Sequence, residues 1–352
     1  MIPESVQYER MFTCMKKVRI GLCGCGRIGQ LHGTNLVQSV PQAELVAVAD
    51  PYMNDTMRAW AAGLGIEKVY DDTNKIMEDP TIDAVMVCSA TPSHVDLIRA
   101  AAKAGKHVFC EKPLHTDVAK IKECIKLCED AGVKLQVGFV RRFDHNHSKV
   151  REVVASGKLG APCIVKVSSR DPADQPMSYI ETSGGIHVDM TIHDFDMARF
   201  LAGSDATEVF AIGMCNNPDY AKYGDVDNTI ITIKFANGAI GVIDNTRSSC
   251  YGYDQRTEVQ CAKGCVQVSN DLENTAMISS AEGVEVAKPT WFFLERYNNA
   301  FIEEDSQFCK AVLGEQEVPV GGIDGLQPVL MAKAAKLSLD EGRPVKISEV
   351  DV

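Results

Sequence analysis

Twelve residues near the start of the chain, GLCGCGRIGQLH (residues 21–32), limit the fold more than any other stretch. They set Gly24-x-Gly26-x-x-Gly29 between a β-branched apolar run, KVRIGLCG, and a segment whose apolar residues recur at helical spacing. Glycine lets the chain turn tightly from strand to helix and lets backbone N–H groups approach a pyrophosphate, whose charge the helix N-terminus favours. Such a loop is weak evidence by itself. Its setting strengthens it, because a second run, ELVAVAD, ends in Asp50 about twenty residues further on. An acidic side chain there accepts hydrogen bonds from both hydroxyls of an adenosine ribose and repels a 2′-phosphate. Arg58 is the nearest arginine after it, so NAD is expected rather than NADP.

The pattern that starts here continues to about residue 140. Near-continuous apolar runs of strand length (AVMVCSA, HVFCEKP, KLQVGF) alternate with helical stretches such as VDLIRAAAKAG and DVAKIKECIKLCEDAG. Continuous apolar strands separated by helices indicate a parallel sheet covered on both faces, with Gly105 and Gly132 as helix stops. Residues 16–140 are therefore expected to form an α/β, doubly wound, Rossmann-type NAD-binding domain. Arg27 and Ile28 in the loop, and Ala90, Thr91 and His94 in SATPSH, belong to the sheet edge where ligands bind in such folds. His94 either touches the cofactor or caps a helix.

Residues 141–352 differ in character. A helix, NHSKVREVVASG, leads into APCIVKVSSRD, and strand-like runs with turns follow: NTIITIKFANGAIGVIDNT, RTEVQCAKGCVQVSN and AMISSAEGVEVAK. ANGA and AKGC are expected hairpin turns. This half is expected to be α+β, with a large, mostly antiparallel open sheet for substrate binding and oligomerisation.

Composition excludes several functions. The net charge of −12 and the lack of a basic run argue against nucleic acid or an anionic membrane as partner. No apolar stretch has the length of a membrane span, and Glu4, Glu9 and Arg10 interrupt MIPESVQYERMFTCMKK where a signal peptide needs an apolar core. That segment reads as a short leader. The thirteen cysteines lack zinc-type spacing and read as reduced thiols in a cytoplasmic protein.

Two places carry the chemistry. CEKPL puts Glu111, Lys112 and Pro113 at the exit of what reads as the fourth strand, where a lysine can hold a substrate hydroxyl and lower its pKa. GGIHVDMTIHDFDMARF (residues 184–200) packs titratable groups into an apolar run. If residues 188–201 form one helix, Asp189 and His193 are neighbours at i,i+4 with Asp196 three beyond, whereas Asp194 lies nearer the core side of Met190, Met197 and Leu201. An aspartate beside a histidine fixes its tautomer and makes it an acid or base near neutral pH. Two other readings stay open: a divalent metal on Asp189, His193 and His187, or a buried network that only tethers domains.

Taken together, the glycine loop, EKP, and the segments VGFVRRFD, GGIHVDMTIHDFDMARFL, YGYDQRTEV and FFLERY resemble, over nearly the whole chain, the glucose–fructose oxidoreductase and inositol dehydrogenase family, and the bacterial inositol 2-dehydrogenases in particular. The resemblance implies an NAD-dependent oxidation of a cyclitol hydroxyl to a ketone. It implies no metal, with Lys112, Asp189 and His193 as the catalytic set. Gly24, Gly26, Gly29 and Asp50 would contact NAD, with Arg27, Ile28, Ala90, Thr91, His94 and Glu111 alongside. Arg141, Asp171 and Tyr251 would approach the substrate, and Asp189 would orient His193 or a neighbouring hydroxyl. It further implies a homotetramer or dimer packed through the open sheet. The chain departs from the family where inositol dehydrogenases often have a histidine and an asparagine, since SSRDP supplies Ser169 and Asp171. A sugar or glycoside is the competing substrate, and an NAD-recycling glycosidase or epimerase the competing reaction. A protein that only senses NAD would not need Lys112, Asp189 and His193 together.

Overall fold

A computed structural model describes residues 16–173 and 175–352; the leader expected over residues 1–15 lies outside them. The apolar runs of the first half form strands β1 (Val18–Cys23), β2 (Ala43–Ala49), β3 (Lys68–Tyr70), β4 (Ala84–Val87), β5 (His107–Glu111) and β6 (Leu135–Gly138). All pair in parallel, in the order β3-β2-β1-β4-β5-β6. Between them run helices α1 (Arg27–Gln38), α2 (Asp55–Gly63), α3 (Asn74–Glu78), α4 (His94–Lys103) and α5 (Val118–Asp130). Asn54 and Asp117 cap α2 and α5 by accepting backbone N–H bonds, and Gly105 and Gly132 end helices at positive φ as expected. The three-residue β3 was too short to show in the pattern, so Lys112 follows the fifth strand, not the fourth.

The second half begins with α6 (His145–Ala155) and β7 (Pro162–Arg170), then α7 (Met177–Ser183), α8 (Ile186–Asp189) and α9 (Ile192–Ala202). Next come β8 (Ala206–Met214), β9 (Asn228–Phe235), β10 (Ile240–Thr246), β11 (Asp254–Cys261) and β12 (Gly264–Val268), and a small hairpin of β13 (Met277–Ser279) and β14 (Val284–Val286). Two long helices close the chain, α10 (Phe293–Val312) and α11 (Gly322–Glu341), before β15 (Val345–Lys346). The large sheet runs β12-β11-β7-β10-β9-β8-β15, with β7 and β10 its parallel pair. Strands such as β9 alternate buried and exposed residues, because helices cover one face and the other is open. Both hairpins expected at ANGA and AKGC form, the first with Gly238 at φ +89°.

One expectation fails. Residues 188–201 are not a single helix: α8 ends at Asp189, and the chain turns through Met190 and Thr191 before α9 starts at Ile192. Thr191 is fully buried, and its hydroxyl donates to Asn245 at 2.6 Å. That tertiary bond anchors the residue at the break, whose backbone turns with His193 N bonded to Met190 O, and helical spacing alone cannot reveal it.

The late helices tie the halves together. α10 packs on α1 and on the turn after β6, while α11 touches α5, β6, α9 and β8. Among the described residues, no helix is long and apolar enough to cross a membrane.

Candidate active site

The first sheet changes winding direction between β1 and β4, and the glycine loop fills the crevice there. Gly24 has φ +100°, and a Cβ on it would lie 2.5 Å from the Ser89 nitrogen; one on Gly29 would lie 1.9 Å from the Gly24 oxygen. Neither position tolerates a side chain. Gly26 is different, because nothing stands within 4 Å of where its Cβ would be. That empty cradle lies at the N-cap of α1, which has no side-chain cap and no acidic residue in its first turn, as binding of an anionic pyrophosphate requires. Asp50 is buried at the end of β2 and accepts from Cys25 N at 2.7 Å and Tyr52 N at 2.8 Å. These bonds fix the carboxylate against the loop and leave lone pairs for ribose hydroxyls. The loop and Asp50 fit a dinucleotide.

A cavity of about 730 Å³ leads from this loop to the second domain. Gly26, Arg27, Ile28 and Ala90 line its first part, Glu111 and Lys112 its middle, and Arg141, Asp171, Asp189 and His193 its far end. Gly24, Gly29, Asp50, Thr91 and His94 lie outside that lining. His94 is buried between two carbonyls, with Nδ1 2.9 Å from Pro113 O and Nε2 2.9 Å from Ser89 O, and so braces the loops after β4 and β5.

At the far end, the Lys112 ammonium donates to the backbone oxygen of Asp189 at 3.1 Å, joining the two domains across the cavity. The Asp189 carboxylate accepts from the Tyr179 hydroxyl at 2.5 Å and from Arg247 at 3.0 Å. It makes no hydrogen bond to His193, because the break before α9 removes the i,i+4 relation expected between them. His193 stands edge-on to Phe139, and its Nδ1 is buried without a partner. Burial first, then the charges of Lys112 and Arg141, hold its pKa well below the ordinary histidine value. The imidazole is therefore neutral at neutral pH and has a lone pair with which to accept a proton.

Behind these groups lies a network that sequence spacing did not disclose. Asp194, on the core side as expected, is fully buried and accepts from Arg141 at 2.5 Å and Asn245 at 3.0 Å. Arg141 also donates to Ser169 at 3.3 Å and to the Tyr253 hydroxyl at 3.2 Å. Asp196 pairs with Arg142. Ser169 thus serves the interior, whereas Asp171 lines the cavity. Burial raises the Asp171 carboxyl to about 6, against the opposing pull of Arg141 and Arg247.

Tyr251 is placed away from the cavity, with its hydroxyl donating to Asp254 at 2.7 Å. Tyr253 lines the cavity instead. Between them Gly252 adopts φ +131°, which breaks the strand alternation that would have put both tyrosines on one face. The aromatic wall of Trp291, Phe292, Phe293 and Tyr297 also escaped the sequence reading, apart from the motif FFLERY. Among the described residues, the groups placed to share an ion are His32–Glu111–Glu304 and Asp144–His145–Asp271; Asp189, His193 and His187 do not form one.

Comparison with known proteins agrees with this geometry. Residues 18–139 match the model of an oxidoreductase family with an NAD-binding Rossmann fold, and residues 147–267 match the GFO/IDH/MocA C-terminal domain. The chain is 45% identical to the myo-inositol 2-dehydrogenase of Thermotoga maritima, over 95% of this chain and 99% of that protein. It is 37% identical to the NAD⁺-dependent scyllo-inositol 2-dehydrogenase of Bacillus subtilis, over 94% and 96%. The crystal structure of scyllo-inositol dehydrogenase from Lactobacillus casei with bound NAD(H) and scyllo-inositol superposes with a TM-score of 0.88 at 29% identity, covering 95% of this chain and 100% of that one.

Proposed function

Since the chain belongs to the Gfo/Idh/MocA oxidoreductase family, we propose that it oxidises one secondary hydroxyl of a cyclitol, myo-inositol or a stereoisomer, to a ketone by hydride transfer to NAD⁺. The observation that carries this reading is the single cavity joining the glycine loop to Lys112, Asp189 and His193. Relatives named for the myo and for the scyllo isomer are 45% and 37% identical, so the isomer rests on the side chains at the far end.

Bound NAD⁺ supplies the hydride acceptor. Gly26 with the α1 N-terminus holds its pyrophosphate, Asp50 its ribose hydroxyls, and Ala90 and Glu111 the cavity wall beyond. Lys112 donates to the hydroxyl being oxidised and stabilises the alkoxide as it forms. His193 takes the hydroxyl proton. Lys112 and Arg141 also favour the alkoxide over the hydroxyl, which eases transfer of the proton. Asp189, held by Tyr179 and Arg247, and Asp171 accept hydrogen bonds from the neighbouring hydroxyls, while Arg141 closes the far wall. Exposed Ile212, Met214, Ile230 and Ile240 on the open face of the large sheet support assembly through that face, and the free thiols of the described cysteines support a reducing, cytoplasmic setting.

The test is absorbance of NADH with NAD⁺ and a panel of inositols, aldoses and glycosides. Steady NADH production with an inositol is expected. Activity confined to a sugar or glycoside would refute the cyclitol assignment. Silence with the whole panel would refute net dehydrogenation.

A further inference from the structure

Beneath the middle of the cavity lies a cluster of four titratable side chains, of which the mechanism above uses only Glu111, and that only as cavity wall. His32 on α1 is fully buried, with Nδ1 2.8 Å from an Asp305 oxygen and Nε2 3.1 Å from a Glu111 oxygen. Phe109 and Phe301 present T-shaped contacts to its ring. Glu304, beside Asp305 on α10, is also fully buried, and neither of its carboxylate oxygens has a hydrogen-bond partner. Its carboxylate lies within 4.8 Å of the His32 and Glu111 ligand atoms. Of the four, only Glu111 reaches the cavity wall.

The proton count follows from the partners. A histidine whose two nitrogens each meet a carboxylate oxygen donates from both and is an imidazolium. Burial opposes that charge, but Asp305 and then Glu111 outweigh it and hold the pKa well above the ordinary value. Glu304 has no such support. Burial, then the Glu111 charge, push it well above the usual carboxylate range, so it keeps its proton. The facing thiols of Cys88 and Cys110 are held neutral by burial, and the Asp196 carboxylate across from Glu304 is already paired with Arg142. Burial pushes the Asp305 carboxyl up as well, but the His32 imidazolium bonded to it pulls it back, so one imidazolium between two carboxylates leaves a single negative charge. Among the described residues, no lysine or arginine side chain pairs with Glu111, Glu304 or Asp305.

We propose that this buried cluster presents one uncompensated negative charge, at Glu111, to the redox end of the dinucleotide, and so selects the cationic oxidised nicotinamide over the neutral reduced one. The inference rests on the reading of the cavity as an NAD site. Glu111 directly precedes Lys112, so a hydride acceptor close enough to react with a hydroxyl on Lys112 and His193 also lies close to Glu111. In a partly buried site, one unit charge at such range alters binding by tenfold or more. His32 and Asp305 are positioning residues that set the charge on Glu111, whereas Glu304, holding its proton, adds none.

Equilibrium binding tests this, with NAD⁺ and NADH titrated separately into the full-length protein by calorimetry and no substrate present. Glu111→Gln is expected to weaken NAD⁺ at least tenfold and to change NADH less than threefold. Glu304→Gln replaces a neutral acid with a neutral amide and is expected to leave the NAD⁺/NADH ratio within threefold of wild type. Equal weakening of both cofactors in Glu111→Gln, or no change in either, would overturn the charge assignment while leaving the NAD site intact. A tenfold change of the ratio in Glu304→Gln would overturn the placement of the proton. Wild-type protein that bound neither cofactor would overturn the NAD reading itself.

Discussion

Asp171→Asn separates binding from stability at one position. The Asp171 carboxyl rises from its ordinary 3.8 to about 6, chiefly through burial. A shift of about two units corresponds to at most about 3 kcal/mol of linked free energy, and cavity water reduces this to about 1–3 kcal/mol. The sign is destabilising. Above pH 6 the folded protein holds a desolvated anion that the unfolded chain solvates freely; the cost shrinks as pH falls through 6 and is gone below 3.8. Asparagine keeps the shape and removes the charge. The variant should therefore melt several degrees higher than wild type at pH 8, using about 2–4 °C per kcal/mol, with a smaller gain at pH 5. In the same variant KM for the cyclitol should rise severalfold at pH 8, since a carboxylate accepts hydroxyl hydrogen bonds more strongly than an amide. Paired thermal melts and steady-state kinetics at the two pH values test both halves. A gain in Tm equal at pH 5 and pH 8, or a loss at pH 8, would refute burial as the cause.

Other perturbations have equally definite outcomes. Lys112→Ala and His193→Ala should each lower kcat by about 10² or more, and near-normal turnover in either would remove that residue from the chemistry. Asp50→Ala should weaken NAD⁺ binding and relax rejection of NADP⁺; because Asp50 also accepts from Cys25 and Tyr52, it should cost stability too, which a melt without cofactor would register. Asp194→Ala leaves the buried Arg141 guanidinium uncompensated and should cost about 3–5 kcal/mol in denaturant unfolding; a loss below about 1 kcal/mol would mean that Tyr253 and Ser169 suffice to hold Arg141. Gly29→Ala should prevent cofactor binding, since its Cβ would overlap the Gly24 carbonyl.

The legible parts of this protein are those governed by short-range rules. The glycine loop, five of the six strands of the first sheet and the ANGA hairpin each follow from a local demand for positive φ, a tight turn or continuous apolar burial, and these formed as read. What escaped depended on distant partners. Asp189 and His193 reach the same cavity, yet not through one helix, because the backbone turns between them, with His193 N bonded to Met190 O and the Asp189 carbonyl taken by Lys112. Asp194 lay on the core side as expected, but its partner Arg141 is remote in sequence. Tyr251, expected near the substrate, lies away from the cavity, and Tyr253, for which no role was read, lines it instead, with Gly252 at positive φ between them. The four-residue cluster around His32 draws on α1, β5 and α10, and no window of sequence contains it.

The placement of α10 and α11 also bears on how the protein comes into being. Phe308 and Cys309 of α10 complete the core that Phe109 occupies in the first sheet, and Gly325 of α11 lies against Leu114 and Val137. While the chain is still being synthesised, the dinucleotide-binding half has emerged but lacks those covering helices, and its apolar surface stays open until residues 293–341 leave the ribosome. Such a half is a poor independent folding unit and a ready substrate for chaperones. Cleavage just before α10 would therefore uncover apolar surface of the first half as well.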